Sequence, residues 1–272
     1  MDAGFCILCL CDRESCRSVL QFPKPAAPAR PRKDCIPDYF VYPVKEIIWF
    51  VIMPTVVIAS PKGGAGKSTA AIILGTELAH AGAGVTLLDC DPNRSLSLWA
   101  GRGTLPPRVT VLSEVGEGEI VRTIKRHDMD GQIVIVDLEG VASRLVSRAI
   151  SQADLVITPM RATTLDATVG VRALQLIREE EEALDRAIPH AVVFTMTRAV
   201  RSRQHSGIEA SLRDQGVDLI EPPLMERTAF SALFEFGGDL RTMPAQGNME
   251  AAIGNAEGFA RAVYARLTAE EA

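Results

Sequence analysis

A glycine-rich turn between a strand and a helix constrains this chain more than any other feature. Residues 61–69 read Pro-Lys-Gly-Gly-Ala-Gly-Lys-Ser-Thr, after the apolar run 55–59 and before the amphipathic segment 67–81. Glycines let backbone N–H groups face an anion, and the positive N-terminal end of the next helix adds to that field. An ordinary glycine turn with an incidental lysine would not require this strand and helix. The pattern therefore predicts a site for nucleotide phosphates.

Within this turn, Lys67 is expected to reach the β- and γ-phosphates, and the Ser68 hydroxyl is expected to coordinate Mg²⁺. The residues predicted to surround the nucleotide phosphates are Lys62, Gly63, Gly64, Ala65, Gly66, Lys67, Ser68 and Thr69.

The remaining apolar segments predict the fold. Short apolar runs alternate with longer amphipathic ones, which favours alternating strands and helices. The predicted strands are 55–59, 85–88, 133–136, 155–158, 191–195 and 217–220, and the predicted helices are 67–81, 117–127, 145–152, 165–184 and 204–215. Such alternation indicates a mostly parallel sheet covered on both faces. We therefore predict a doubly wound, three-layer α/β/α domain of the P-loop NTPase class over residues 53–272.

The first 52 residues differ in composition from the rest. Five of the six cysteines lie between residues 6 and 35, and five prolines lie between residues 23 and 37. The prolines favour extended chain, and the cysteines lack the second pair that a zinc ribbon needs. The apolar run 5–10 is shorter than the roughly 20 residues of a membrane helix. We interpret residues 1–52 as a disordered or non-native extension, and the protein as cytoplasmic.

Two acidic motifs follow strands that neighbour the phosphate turn. Asp89 and Asp91 lie in Asp-Cys-Asp-Pro after the second predicted strand, and Asp137 ends the third. Ligands of open α/β sheets bind at the carboxyl ends of strands, so these carboxylates are expected beside the turn. Asp137 has the form of a carboxylate that holds Mg²⁺, usually through water. A turn in which Asp89 and Asp91 only cap the next segment remains an alternative.

The segment Lys62-Gly-Gly-Ala-Gly-Lys67-Ser68 resembles the deviant Walker A motif of the ParA/MinD superfamily, and Asp-Cys-Asp-Pro resembles its first switch. The resemblance covers residues 54 to about 241. It implies an ATPase with ATP and Mg²⁺ as cofactors, in which ATP joins two subunits. Lys62 would cross to the partner's nucleotide, where a cation stabilises the transferring phosphoryl group. An ordinary solvated lysine is the alternative.

The same resemblance assigns roles to the carboxylates. Asp89 would lie on the metal side with Ser68 and Asp137, and Asp91 would orient or deprotonate the attacking water, beside the catalytic lysines Lys62 and Lys67. The second switch departs from the family pattern, because Leu-Glu-Gly follows Asp137 where prolines are common. We interpret Glu139 as a polar loop residue.

The family's adenine segment corresponds to residues 221–224, which implies base contacts from Thr197, Pro222 and Pro223. The run 223–230 is similar to the VirC branch, the accessory ATPases of T-DNA and conjugative transfer.

The net charge of −5 leaves any DNA contact to a local cluster of arginines. Arg198, Arg201 and Arg203, followed by Arg213, are candidates for contacts to DNA phosphates, and a solvated helix face explains them equally well. Near the end of the chain, Phe259, Val263 and Leu267 are expected to pack against the sheet and not to enter a membrane.

These features predict a slow ATPase that forms a homodimer with ATP and binds DNA nonspecifically. A ParB-like or relaxosome-type partner would stimulate hydrolysis, in plasmid or chromosome partition or in conjugative DNA transfer. Two alternatives from other classes remain. One is an ATP-switched factor that positions a protein cargo without DNA, and the less favoured one is a MinD-like ATPase that cycles on a membrane. A synthetase on the same fold is disfavoured by Lys62.

Overall fold

The computed structural model of the chain describes residues 54–140 and 143–269, and the predicted N-terminal extension lies outside the described residues. The strands are β1 (Thr55–Ser60), β2 (Gly84–Cys90), β3 (Val109–Ser113), β4 (Gln132–Glu139), β5 (Leu155–Met160), β6 (His190–Thr197) and β7 (Leu224–Met225). The helices are α1 (Lys67–His80), α2 (Ser95–Ala100), α3 (Ile120–Met129), α4 (Arg144–Ile150), α5 (Thr164–Leu184), α6 (Arg203–Asp214), α7 (Thr228–Phe236) and α8 (Met249–Thr268).

The strands form one sheet in the order β3-β2-β4-β1-β5-β6-β7, and every pairing is parallel. Alternate residues of each strand enter two apolar layers. Val56 and Ile58 of β1 pack in the layer formed with α1, α2, α7 and α8, whereas Val57 and Ala59 pack in the layer formed with α3, α4, α5 and α6. Because both faces are covered, the central strands are apolar throughout. The predicted doubly wound α/β fold is confirmed.

One predicted strand is wrong. The segment 217–220 contributes only an isolated bridge between Leu219 and Val192, and the seventh strand lies further on, at Leu224–Met225. Pro222 and Pro223 stand between the two and have no N–H to donate to β6, so regular pairing resumes only after them.

The C-terminal helix α8 belongs to the core. Phe259 and Val263 are fully buried and Leu267 is 9% exposed, in the same apolar layer as α1. The prediction that this stripe packs inside the domain is confirmed. Across the described residues, no helix combines the length and the apolar character that crossing a bilayer requires.

The parallel sheet places the predicted site residues side by side at the carboxyl ends of its strands, and this end of the sheet is its site edge. The phosphate turn follows β1, and the pairing of β2 with β4 sets Asp89 directly opposite Asp137. The pairing of β1 with β4 sets Ile58 opposite Asp137, so that the carboxylates lie beside the strand that leads into the turn.

Candidate nucleotide-binding site

The phosphate turn has the backbone that anion binding requires. Gly64 and Gly66 have φ values of 71° and 88°, a region that side-chain-bearing residues rarely adopt. Gly66 is the N-cap of α1 and supplies no side-chain cap to it. The first N–H groups of α1 therefore remain available to an anion, next to the positive end of the helix dipole.

Thr195 on β6 fixes the shape of this turn. Its hydroxyl donates to the Ala65 carbonyl at 2.7 Å, and a Cβ added at Gly66 would lie 3.3 Å from the Thr195 Cβ. Thr195 is 2% exposed. This role could not be predicted from the sequence, because Thr195 has the pattern of an ordinary β-branched strand residue.

Lys67 points its ammonium at the first acidic motif. Its Nζ lies 3.9 Å from Asp91 Oδ2, and the two side chains are 5% and 7% exposed. That distance exceeds a hydrogen bond, so the ammonium keeps donors for phosphate oxygens.

The Asp-Cys-Asp-Pro segment also makes the local contacts of a cap, the alternative that the sequence left open. Asp89 Oδ2 accepts from the N–H of Ser97 at 2.7 Å and from its hydroxyl at 2.5 Å. Asp91 Oδ1 accepts from the backbone and side-chain nitrogens of Asn93, each at 2.8 Å. Both carboxylates are thus held rigidly at the start of α2. The role of Asp91 towards water stays a prediction.

The residues expected to hold Mg²⁺ leave acceptors unused. Asp89 Oδ1 and both carboxylate oxygens of Asp137 are buried without a hydrogen-bond partner among the described residues. The pKa of Asp137 is raised to about 7, mainly by burial, with the Ser68 side chain and the Lys67 charge lowering it and the charges of Asp91 and Asp89 raising it. Buried oxygens of this kind need a cation or a proton.

Mg²⁺ therefore fits a set formed by Ser68, Asp89 and Asp137, and it would supply a positive charge that binds phosphate oxygens. Within the described part of the chain, no group of three or more His, Cys, Asp or Glu side chains forms a metal site by itself. Phosphate oxygens and water would complete the shell of such an ion.

Lys62 does not lie free in solvent. Its Nζ contacts Asp166 Oδ1, and the two side chains are 37% and 3% exposed. Asp166 is in the first turn of α5, where the Thr163 hydroxyl donates to its Oδ2 at 2.7 Å. The predicted transfer of Lys62 to a partner's nucleotide stays a prediction. Asp166 was not predicted, since a carboxylate in the first turn of a helix is common.

A cleft opens beside the phosphate turn on the side of β6. Its lining residues are Gly66, Thr69, Thr195, Met196, Leu224, Met225, Glu226, Arg227, Phe230 and Ser231. It includes most of the run 223–230 that carries the similarity to the VirC branch.

The three residues predicted to touch the base do not line this cleft. The Thr197 hydroxyl faces the Leu224 carbonyl at 3.5 Å and the Met225 sulfur at 3.1 Å. Pro222 packs against α8, where a Cβ added at Gly258 would lie 2.8 Å from its ring. Pro223 is buried. The base contacts of Thr197, Pro222 and Pro223 stay a prediction.

The arginines predicted to contact DNA differ in how far carboxylates already pair with them. Arg201 and Arg213 each pair with Glu209 and Glu221. The Arg198 guanidinium lies 3.8 Å from exposed Glu226. Arg203 is exposed and has no ion pair among the residues described. The structure therefore neutralises Arg201 and Arg213 locally, and leaves Arg203 and the loosely paired Arg198.

Known proteins resemble this chain over most of its length. The family model described as VirC1 protein matches residues 53–253. The chain belongs to the VirC1 family. Among curated proteins, this VirC1-family chain is 66% identical over 218 residues to Protein ParA of Rhizobium radiobacter, covering 79% of this chain and 98% of that protein. It is 30% identical over 190 residues to Protein virC1 of the same species, covering 68% and 82%.

Among solved structures, the ATP complex of a McdA variant from Cyanothece aligns with the VirC1-family chain at a TM-score of 0.59 and 18% identity, covering 78% of this chain and 96% of that one. At this identity the likeness shows the fold. Together the matches confirm the predicted membership of the ParA/MinD superfamily of P-loop proteins and the similarity to the VirC branch.

Proposed function

We propose that this VirC1-family chain is a cytoplasmic, Mg²⁺-dependent ATPase that dimerises with ATP and binds DNA nonspecifically in that state. A partner protein would stimulate hydrolysis and release the DNA, in plasmid partition or conjugative transfer. The observation that carries the proposal is the placement of Lys62. Its ammonium lies at the partly exposed lip of the phosphate turn and is held by Asp166, while Lys67 alone lies deep in the turn.

A dimer at this edge of the sheet has further support. Three of the exposed large apolar side chains lie beyond or at the carboxyl ends of β5 and β6, the edge that carries Lys62. Leu165, Met196 and Val200 are 64%, 40% and 86% exposed. A second copy placed over the nucleotides would cover these side chains.

The chemistry expected of one subunit follows from positions on this edge. The N–H groups of the turn and the Lys67 ammonium would bind the phosphates, and Asp91 would hold the attacking water. Lys62 of the facing subunit would add positive charge at the transferring group. Hydrolysis would be slow until a partner protein favours the arrangement in which all of these groups are in place.

The first test measures binding of the full chain to a nonspecific DNA duplex without nucleotide, with ADP, and with ATP and Mg²⁺. The informative variant is Arg198→Ala/Arg203→Ala, because Arg201 is engaged with Glu209 and its loss would disturb α6. The matched control is Arg172→Ala/Arg178→Ala on α5. Binding that requires ATP, weakens with salt and is lost only in the first variant supports the DNA switch.

A second function, ATP-switched positioning of a protein cargo, is favoured by one observation. The ion pairs of Arg201 and Arg213 with Glu209 and Glu221 offset the charge of two of the four candidate arginines, which would weaken their attraction to DNA phosphates. Protein that dimerises with ATP but binds no DNA in any nucleotide state would select this function.

A further inference from the structure

Arg161 places a third cation on the phosphate turn. It directly follows β5, at the edge of the sheet where the turn lies, and it is exposed. Its Nη2 donates to the Gly64 carbonyl at 3.1 Å, across 97 positions of the chain. The contact joins the loop after β5 to the turn after β1.

The three cations at the turn differ in what neutralises them. Lys67 faces Asp91 and Lys62 contacts Asp166. Arg161 has no carboxylate within ion-pair distance among residues 54–140 and 143–269, and its recorded contact is with a neutral carbonyl. A guanidinium has five N–H donors, and those that do not bind Gly64 are available to a ligand. Of these three cations, Arg161 is the one without a carboxylate partner among the described residues.

We infer that Arg161 is a specificity-determining ligand of the terminal phosphate, which favours ATP over ADP. The inference rests on the proposed ATPase function and adds a residue to it. The N–H groups of the turn and Lys67 would bind the β-phosphate, and Arg161, whose guanidinium already reaches Gly64, would bind the γ-phosphate that Lys67 also approaches. A guanidinium presents a planar fork that matches phosphate oxygens.

Arg161 would exchange its partner when ATP binds. Rotation about the side-chain bonds of Arg161 would release the Gly64 carbonyl and bring the guanidinium to a phosphate oxygen. Gly64 is exposed, so its carbonyl can bind water after release. With ADP no oxygen is present at that point, and the guanidinium stays on Gly64.

The experiment compares dissociation constants for Mg²⁺ with a nonhydrolysable ATP analogue and for Mg²⁺ with ADP, by calorimetry on the full chain. The variants are Arg161→Ala and Arg161→Lys. The control is Arg172→Ala, which removes an exposed arginine of α5 that has no ion pair among the described residues. We expect Arg161→Ala to weaken the analogue about tenfold and ADP by less than about twofold, since a charged hydrogen bond is lost for one nucleotide only. Arg161→Lys recovers part of the loss, and the control changes neither constant.

Two results overturn the inference. An equal loss for both nucleotides means that Arg161 only shapes the turn through Gly64, and no loss for either means that it is a solvated side chain. Failure of the wild-type chain to bind either nucleotide is a different result, because it removes the proposed ATPase itself. Thermal unfolding without nucleotide should be the same for wild type and Arg161→Ala, which separates loss of the ligand contact from loss of the fold.

Discussion

Lys62 and Asp166 form an ion pair within one subunit, between the lip of the phosphate turn and the first turn of α5. The carboxylate is 3% exposed and is oriented by the Thr163 hydroxyl, whereas the lysine is 37% exposed. The buried Asp166 carboxylate is therefore the fixed member of the pair, and the partly exposed Lys62 side chain is the member that can move away. If Lys62 serves the nucleotide of a second subunit, this contact must break first, and its strength opposes dimerisation.

The first prediction concerns this contact. Asp166→Asn keeps the acceptor for Thr163 and removes the charge that holds Lys62. An ion pair with one partly exposed member is worth up to about 1 kcal/mol, so the variant should dimerise at ATP concentrations about two- to fivefold lower than wild type. Sedimentation velocity across an ATP titration measures the shift.

Glu182→Gln is the control, since it removes an acid near the opposite end of α5. Lys62→Gln, in contrast, should retain ATP binding and lose hydrolysis. Unchanged dimerisation in Asp166→Asn would show that the ion pair does not restrain Lys62.

The second prediction uses the carboxyl of Asp137. Burial raises its pKa from 3.8 to about 7. Its folded pKa exceeds its unfolded value, so the protonated form contributes stability that is complete below about pH 4 and is lost as the pH rises to about 7. Above that pH the ionised Asp137 carboxylate lowers the free energy of unfolding unless a cation binds to it.

Asp137→Asn should therefore melt above wild type at pH 8 in the absence of Mg²⁺, by several degrees, with a smaller difference at pH 5.5. The same variant should gain less than wild type from Mg²⁺ and ATP at pH 8. Differential scanning fluorimetry gives both melting temperatures. Asp130→Asn, at the exposed end of α3, is the control. A variant that melts below wild type at pH 8 would contradict the argument.

The third prediction concerns Thr195. Thr195→Val removes the hydroxyl that binds the Ala65 carbonyl and keeps the branched shape. A buried acceptor left without a partner costs about 1–3 kcal/mol, which we expect to loosen the turn and weaken ADP and ATP alike, by about fivefold or more. Thr195→Ser restores the donor and should recover most of the affinity. Calorimetry with each nucleotide separates this uniform loss from the selective loss expected at Arg161.

The sequence predicts the centre of this fold better than its edges. β1 and β4 are buried on both faces, so each is a continuous apolar run that periodicity detects. β3 lies at the end of the sheet and buries only one of its five residues, which leaves no such run. The strand predicted at 217–220 failed because the two prolines after it displace regular pairing to β7.

The same contrast holds at the site. Lys67 follows β1, and Asp89 and Asp137 lie near the carboxyl ends of β2 and β4. Parallel pairing brings these ends together, so the sequence suffices to predict the three residues. Asp166, Thr195 and Arg161 act through contacts that span about a hundred residues or more, and each is unremarkable in its own segment. Only the packing of β5 and β6 beside β1 shows that they reach the turn.

The last prediction concerns the ion pair between Glu77 of α1 and Arg241, which lies in the segment that joins α7 to α8. Arg241 donates to both carboxylate oxygens of Glu77, at 2.7 and 2.9 Å, and the Glu77 side chain is 4% exposed. Arg241→Met leaves that acid buried without its main partner. We expect a loss of about 2–3 kcal/mol in the free energy of unfolding, below the range for fully buried pairs because Arg241 is 29% exposed. Urea unfolding measures it.

A double variant, Arg241→Met/Glu77→Met, tests the origin of that loss. Removing both charges and keeping apolar volume should return most of the stability, since the cost of the single variant comes from an uncompensated buried carboxylate and not from a lost attraction. Arg261→Met, an exposed arginine of α8, controls for the change of net charge. If the double variant is as unstable as the single one, the loss comes from the packing of the Arg241 stem and not from the charge of Glu77.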